Sequence, residues 1–151
     1  MPRIRDAEPA DCATLSALAY ASKAHWGYDH AFMEACRAEL TVTPADLDRM
    51  SVRVAVQDEE IVGFHGVDDT EVVWFFVRPD LMRRRVGAAL FADACDVARA
   101  RGIADLRIEA DPNAADFYRH MGARQVGETP SLSIPGRALP LLYVDVSSNC
   151  E

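Results

Sequence analysis

The spacing of apolar residues over the first fifty positions predicts a strand followed by three short helices. Arg3 to Arg5 form the strand, and Pro9 suits the first turn of a helix, where an N–H has no helical partner to lose. The segment Thr43 to Asp46 has the form of a capping box that starts the third helix. The first two helices each bury one face, because apolar or small residues recur every three or four positions: Cys12, Leu15, Leu18, Ala19 and Ser22 in the first, and Phe32, Met33, Cys36 and Leu40 in the second.

The middle of the chain changes to the two-residue period of β-strands. Apolar and polar residues alternate over Ser51 to Gln57, and a similar segment, Ile61 to Val67, returns after an acidic turn. Glu71 to Val77 is nearly all apolar, which is typical of a central strand covered on both faces. The three segments predict an antiparallel meander.

A strand–helix–strand unit follows. From Val86 the apolar positions keep the helical period until Arg101 and Gly102, which supply a basic last turn and a stop. Leu106 to Ala110 alternate as a strand, and Ala114 to Met121 predict another short helix. We predict an α+β fold in which the strands on either side of the long helix are parallel neighbours. Two more strands close the chain: Arg124 to Glu128 and Leu139 to Val146.

Composition and charge narrow the classes of function. The 151 residues suit a single domain, 1–151, and 16 Lys and Arg against 24 Asp and Glu leave a net charge of −8. Because an acidic protein is repelled by phosphate backbones, we expect no nucleic-acid partner and no anionic membrane surface as partner. No apolar run approaches the roughly 20 residues that span a bilayer, and no signal peptide is recognisable, which indicates the cytoplasm.

The four cysteines and four histidines do not have the spacing of a metal site. No two cysteines lie close in sequence, and neither an HxxxH nor an HExxH pattern occurs. We therefore expect free thiols in a reducing compartment and no bound metal.

The first segment with a chemical signature joins the central strand to the long helix, over Val77 to Leu90. The first N–H groups of that helix have no partner within the helix and carry partial positive charge, so they form a site for an anion. Gly87 and Ala88 let a ligand approach the backbone, and three successive arginines, Arg83 to Arg85, add positive charge. A pyrophosphate suits this site, and a solvated basic turn is the alternative interpretation.

The second segment covers Asp111 to Ala123. Asn113 stands at the start of a short helix, where its simplest role is an N-cap, and Tyr118 lies five residues on, where its simplest role is a core aromatic. Neither residue alone is informative. Together and in this order, however, the two segments resemble the GNAT superfamily of acyl-CoA-dependent N-acetyltransferases.

The resemblance covers most of the chain and is strongest over Val73 to Ala123. The family's signature is a hydrophobic strand, V-x-P, a Gln/Arg-x-x-Gly-x-Gly/Ala loop, and a later N-x-x-x-x-F/Y-Y-x-x-x-G helix. Two positions depart from it, because Met82 stands at the Gln/Arg position and Arg85 at the first glycine. Arg85 thus brings a Cβ into the loop whose backbone amides hold the coenzyme A pyrophosphate in the family, while the adjacent arginines supply charge that compensates.

The resemblance implies a three-layer GNAT fold: a mixed, mostly antiparallel sheet with helices on both faces and one parallel strand pair. It implies acetyl-CoA or coenzyme A as the cofactor, bound in the gap where the central strand parts from its parallel neighbour. Tyr118 matches the family's general acid, and Asn113 matches a polar contact to the pantetheine arm. The cofactor contacts that the resemblance implies are Phe75, Phe76, Val77, Met82, Arg83, Arg84, Arg85, Val86, Gly87, Ala88, Asn113 and Phe117.

The resemblance does not fix which residue is the general base. Glu71 is the candidate we select, because many family members place a carboxylate at the start of the central strand, and a solvated turn carboxylate is the alternative. Trp26 and Tyr28, which interrupt the helical region, either wall an acceptor pocket or simply pack. The remaining candidates for the base are His25, His30, His65, Asp68 and Asp69.

The function that we predict is acetyl transfer from acetyl-CoA to a primary amine of a small molecule or a peptide. The alternative is a non-catalytic acyl-CoA-binding or regulatory module of the same fold, which the departures at Met82 and Arg85 favour. The sequence does not decide the acceptor, and both a monomer and a homodimer stay open.

Overall fold

A mixed sheet with helices on both faces organises residues 2–82 and 85–147, the part of the chain that the computed structural model describes. A 3₁₀ turn precedes the first helix and another precedes the fourth, over Pro9–Asp11 and Pro79–Leu81. The strands are β1 (Arg3–Asp6), β2 (Ser51–Gln57), β3 (Glu60–Asp68), β4 (Glu71–Val77), β5 (Asp105–Glu109), β6 (Arg124–Pro130) and β7 (Ala138–Asp145). The helices are α1 (Cys12–Ala24), α2 (His30–Cys36), α3 (Pro44–Arg49), α4 (Val86–Ala100) and α5 (Ala115–His120).

The strand order places one parallel pair in an otherwise antiparallel sheet. The order is β1-β2-β3-β4-β5-β7-β6, so the last strand inserts between β5 and β6. β4 and β5 are parallel, but their pairing covers only Glu71 with Arg107 and Val72 with Ile108. Every other neighbouring pair runs antiparallel. The predicted α+β class, the GNAT-type layering and the single parallel pair are confirmed.

Local sequence signals explain several of the boundaries. The hydroxyl of Thr43 and the carboxylate of Asp46 form the predicted capping box, which starts α3 at Pro44. Asp58 and Glu59 form the tight turn between β2 and β3. Both have a left-handed backbone, with φ of 53° and 65°, and Asp adopts this conformation more readily than most residues do. Both the turn residues and the alternation of apolar and polar residues along the strands therefore specify the meander.

Each face of the sheet buries its own set of side chains. On one face, Val54, Phe64 and Trp74 pack with the helices α1, α2 and α3. On the other face, α4 and α5 cover the sheet, and Leu90 and Phe91 are among the most deeply buried side chains there. β4 lies between the two layers, which is why both faces of this strand are apolar.

The described residues contain no group of three or more His, Cys, Asp or Glu side chains that could hold a metal ion. Within the same ranges, no helix is long and apolar enough to cross a membrane. Cys12 and Cys36 are buried free thiols, and Cys95 is fully buried.

Candidate active site

A bulge in the central strand opens a cleft through the sheet. Val67 of β3 pairs with Val72, but the preceding residue of β3, Gly66, pairs with Trp74, so Val73 is an extra residue without a partner on β3. The pairing of β4 with β5 also ends at Val72. Beyond this point the two strands separate, and a cleft of ≈ 270 Å³ lies between them.

The cleft is lined by many of the residues that the sequence singles out. β4 contributes one wall, α5 and the loop before it contribute the second, and the first turn of α4 closes one end. The predicted residues that line it are Trp26, Phe75, Phe76, Val77, Met82, Gly87, Asn113, Phe117 and Tyr118. Four other predicted residues are not part of the lining: Glu71, Arg85, Val86 and Ala88. Arg83 and Arg84 lie outside the described residues.

The first turn of α4 lies beside the cleft. The helix begins at Val86, and the N–H of Ala89 bonds to the carbonyl of Arg85 at 3.1 Å, so the N–H groups of Val86, Gly87 and Ala88 precede the first acceptors that the helix itself supplies. A Cβ added at Gly87 would lie 3.1 Å from the ring of Phe117, so glycine lets this ring pack against the turn. Arg85 has φ −78° and ψ 0°, which a side chain adopts without strain. The Cβ of Arg85 therefore adds no backbone strain at this position.

Tyr118 combines a buried ring with a hydroxyl on the cleft. Its side chain lines the cleft and makes edge or tilted contacts with Phe75, Phe91 and Phe117, at centroid distances from 5.4 to 6.0 Å. Burial, and secondarily the negative charge of Asp111, raise the pKa of this phenol far above its ordinary value. The hydroxyl therefore stays protonated at neutral pH and can act as a donor.

Two carboxylates meet an arginine at the point where β4 and β5 part. Nε of Arg107 lies 3.2 Å from Oε2 of Glu109 and 4.0 Å from Oε1 of Glu71. Burial raises the pKa of Glu71, and the negative charge of Glu109 raises it further. Glu109 lines the cleft and was missed by the sequence interpretation, although its alternation with buried Leu106 and Ile108 placed it on the opposite face of β5.

A second polar group lines the cleft next to the end of β5, and we call it the Asp111 cluster. Its members come from α1, the α1–α2 loop, the β5–α5 loop and the β6–β7 loop: Lys23, Tyr28, Asp111, Asn113 and Arg137. Nζ of Lys23 lies 3.0 Å from Asp111, and the hydroxyl of Tyr28 donates to the same carboxylate at 2.9 Å. Nη2 of Arg137 donates to the Tyr28 oxygen at 2.7 Å and lies 3.5 Å from Asp111.

Asp111 is ionised in this setting. Burial alone would raise its pKa, but the backbone N–H of Asn113 and the ammonium of Lys23 outweigh burial, so the pKa lies below its ordinary value. The side chain of Asn113 donates to Asp111 and to Tyr28, both at 3.0 Å. The N-cap of α5 is Ala114, so Asn113 does not cap the helix but joins the cluster.

A third charged group, the Asp93 cluster, lies away from the cleft. Asp93 of α4 accepts from both Arg53 of β2 and fully buried His65 of β3, at 2.9 and 2.8 Å, and Arg53 also reaches Asp6. His65 is not part of the cleft lining, and the same is true of four other candidates for the base: His25, His30, Asp68 and Asp69. Of the acidic and histidine candidates that the sequence offered, only Glu71 lies beside the cleft, next to Glu109.

Comparison with protein families agrees with this geometry. A model of the acetyltransferase (GNAT) domain matches residues 15–131, which is most of the chain. The chain belongs to the GNAT acetyltransferase family. A comparison with curated proteins finds no match.

Solved GNAT structures share the whole fold of this family member. A GCN5-related N-acetyltransferase from Rhodopseudomonas palustris superposes with a TM-score of 0.82 at 25% identity, over 96% of both chains. The PaiA N-acetyltransferase of Thermoplasma acidophilum, solved in complex with coenzyme A, gives a TM-score of 0.78 at 16% identity over 96% of this chain and 99% of that one. YncA from Salmonella typhimurium, solved with acetyl-CoA, gives 0.68 at 19% identity over 99% and 96%.

Membership in the GNAT family gives the chain an acyltransferase fold and leaves its acceptor undefined. Met82 lines the cleft, and Arg85 has a helical backbone at the start of α4.

Proposed function

We propose that this protein transfers the acetyl group of acetyl-CoA to the nitrogen of a primary amine. The proposal rests above all on the cleft at the end of the β4–β5 pairing. This cleft brings together an unpaired strand edge, a helix N-terminus and the hydroxyl of Tyr118. Acyl transfer from a thioester needs backbone donors, room for a long flexible donor molecule and a proton source, and the cleft has all three.

The residues round the cleft fit coenzyme A. The N–H groups at Val86, Gly87 and Ala88 open α4 and are suited to pyrophosphate oxygens, because a helix N-terminus favours negative charge. The backbone of β4 beyond Val73 has no strand partner on the β5 side, so its polar groups are available to an extended amide-bearing arm. The flat ring of Phe117 next to Gly87 offers an apolar surface between these two regions.

The other proposed contacts follow the lining of the cleft and the loop before α4. Asn113 has its amide nitrogen bonded within the Asp111 cluster, so its carbonyl oxygen is the group we assign to the ligand. The side chain of Arg85 is exposed and can approach phosphates from the solvent side. The complete set of residues proposed to contact the cofactor is Phe75, Phe76, Val77, Met82, Arg83, Arg84, Arg85, Val86, Gly87, Ala88, Asn113 and Phe117.

Different side chains are proposed to remove and to supply the protons of the reaction. Acetyl-CoA supplies an acyl group that is activated as a thioester. Glu71 and Glu109 are the carboxylates proposed to take a proton from the amine, because a raised pKa makes Glu71 a stronger base. Tyr118 holds the proton that the departing sulfur needs, and the backbone at the Val73 bulge is where we expect an N–H to stabilise charge on the carbonyl oxygen.

Amine-dependent release of thiol from acetyl-CoA tests this proposal. Purified protein is mixed with acetyl-CoA and a panel of amino acids, polyamines and short peptides, and free thiol is followed with and without each amine. We expect at least one amine to raise thiol release well above the rate without amine, with an N-acetylated product detected by mass spectrometry. Thermal stabilisation by coenzyme A together with no amine-dependent release would contradict the proposal and support the non-catalytic acyl-CoA-binding module.

A further inference from the structure

The charged side chains in and beside the cleft fall into two regions. Glu109, with Glu71 beside it, provides the carboxylates, and the Asp111 cluster provides the cations. Glu109 is the last residue of β5, Asp111 follows it by two residues in the next loop, and both line the cleft; two residues of extended chain span roughly 7 Å. One small molecule can therefore contact both regions at the same time.

Two cations of this region lie close to one carboxylate. Lys23 and Arg137 lie 3.0 and 3.5 Å from Asp111, and Glu39 is a further carboxylate in the cleft lining. Both cations line the cleft, with only 15% and 17% of their side chains exposed. A cation that is largely removed from water gains more from a ligand anion than an exposed one does.

These two cations are also held in place with donors to spare. Lys23 and Arg137 both lie over the rings of Tyr28 and Phe32, which are themselves stacked 4.0 Å apart. Among the described residues, Arg137 donates a hydrogen bond through one nitrogen only, to Tyr28, although a guanidinium carries five N–H donors. Because their positions are already fixed, little conformational entropy is lost when a ligand binds them.

We propose that the acceptor is an amine that also carries a carboxylate, with a free amino acid as the class. This inference rests on the proposed acetyl transfer. The amine lies at the Glu71 and Glu109 carboxylates, and the carboxylate of the acceptor is bound by Lys23 and Arg137. In the transfer, the amine nitrogen gains the bond to the acetyl carbon and loses one proton, while the carbon–sulfur bond breaks and the sulfur leaves with its electron pair and takes a proton.

Pairs of amines that differ only in the carboxylate test this inference. We choose L-tryptophan with tryptamine, L-lysine with cadaverine and L-arginine with agmatine, and measure kcat and KM for each. The carboxylate-bearing member of at least one pair is expected to have a kcat/KM about tenfold or more above that of its partner, mainly through a lower KM, because charge-assisted hydrogen bonds are the strong ones. Equal values within every pair that reacts would overturn the inference and leave the proposed transfer standing.

Variants of Arg137 separate binding of the acceptor from support of the fold. Arg137→Gln is expected to bring the ratio of the reacting pair close to one by raising the KM of the carboxylate member, and Arg137→Lys is expected to keep part of the preference. Arg49→Gln is the matched control, because Arg49 pairs only with Asp46 on the surface of α3 and is 57% exposed. A loss of thermal stability in Arg137→Gln with an unchanged ratio would show that the cluster only holds the loops, and would overturn the inference.

A binding measurement keeps the inference testable if no amine of the panel reacts. The N-acetylated forms of the same pairs are titrated calorimetrically into the wild-type protein in the presence of coenzyme A. Tighter binding of the carboxylate-bearing product, lost in Arg137→Gln, supports the carboxylate site even if the proposed transfer fails. Equal or undetectable binding of both products overturns the site.

Discussion

Two carboxylates, Asp93 and Asp111, each lie at the centre of a charged cluster, but they differ in what surrounds them. Asp93 lies on α4 and binds Arg53 and His65 from two strands, so these partners belong to regular elements, and none of the three residues lines the cleft. Asp111 lies in the loop after β5, and Lys23 is the one partner from a regular element.

This difference indicates that the two clusters have different roles. In the Asp93 cluster the carboxylate carries a pKa of about 2, because hydrogen bonds from His65 and Arg53 overcome the effect of burial, and its bonds join α4 to the sheet. In the Asp111 cluster the cations outnumber the carboxylate and border the cleft. We infer that the first cluster stabilises the fold, whereas the second prepares a surface for a ligand.

The largest expected effect is a loss of stability when the charge of Asp93 is removed. Asp93→Asn removes the charge that Arg53 and His65 share, and loss of one partner of a largely buried ion pair costs about 3 kcal/mol. Urea unfolding measures this loss of free energy of unfolding. Asp96→Asn, at a position on the same helix whose side chain is 69% exposed, is the control and should change stability by less than about 0.5 kcal/mol.

The decline of stability at acid pH checks the same point by a second measurement. Because the pKa of Asp93 falls from 3.8 to about 2 in the fold, its contribution is present above the ordinary value and is lost as the pH falls from about 3.8 towards 2. The free energy of unfolding of the wild type should therefore decline over this range more steeply than that of Asp93→Asn. Parallel curves for the two proteins would mean that Asp93 does not stabilise the fold through its charge.

The next largest effect concerns the cleft. Tyr118→Phe removes the hydroxyl and keeps the ring contacts with Phe75 and Phe117, so we expect kcat to fall about 10²-fold, which corresponds to about 2.7 kcal/mol, with stability little changed. Steady-state thiol release measures kcat. Tyr20→Phe, which removes a hydroxyl that binds Glu34 on the surface, is the control. Wild-type turnover in Tyr118→Phe would make Tyr118 a packing residue.

The pH dependence of the reaction distinguishes Glu71 from Glu109. A base works in its deprotonated form, so kcat/KM should fall as the pH drops through the raised pKa of Glu71. Glu71→Gln is expected to lower kcat/KM about tenfold and to remove this limb, and Glu128→Gln on exposed β6 should leave both unchanged. If Glu109→Gln removes the limb and Glu71→Gln does not, then Glu109 is the base.

The smallest expected effect lies at the far end of the cleft. A Cβ at Gly87 meets the ring of Phe117 at 3.1 Å, so Gly87→Ala must displace this ring by a few tenths of an ångström. We expect the affinity for coenzyme A to fall by roughly threefold to tenfold, while a better helix-forming residue offsets the cost in stability. Calorimetric titration with coenzyme A gives the affinity, and Ala100→Gly at the exposed other end of α4 is the control for a change in helix propensity. Unchanged affinity would mean that the first turn of α4 is not in contact with the ligand.

The elements of the fold could be predicted from the sequence, because they depend on local patterns. The alternation in β2 and β3, the apolar β4 and the helical period of α4 place these elements within one or two residues of their observed bounds. The separation of β4 from β5 was expected only through the family resemblance. The position of the bulge at Val73 was not predicted, since it depends on register with β3 rather than on any residue of β4 alone.

The polar groups of the site were harder to predict, because their partners are far apart along the chain. Lys23 and Asp111 are separated by 88 residues, and Tyr28 and Arg137 by 109. Arg137 stands in an ordinary turn sequence, and nothing within its own neighbourhood indicates a cleft. His65 illustrates the opposite error, since a histidine within a strand was considered as a base and is instead buried against Asp93.

Amide hydrogen exchange of the wild-type protein with and without coenzyme A tests the central claim most directly, because it follows both clusters and the cleft in one experiment. The account predicts increased protection in the first turn of α4, from Val86 to Ala88, and along β4 beyond Val73, with no change at the amides around Arg53 and His65. Protection that is absent from α4 and β4, or that appears mainly at the Asp93 cluster, would contradict the assignment of the β4–β5 cleft as the acyl-CoA site.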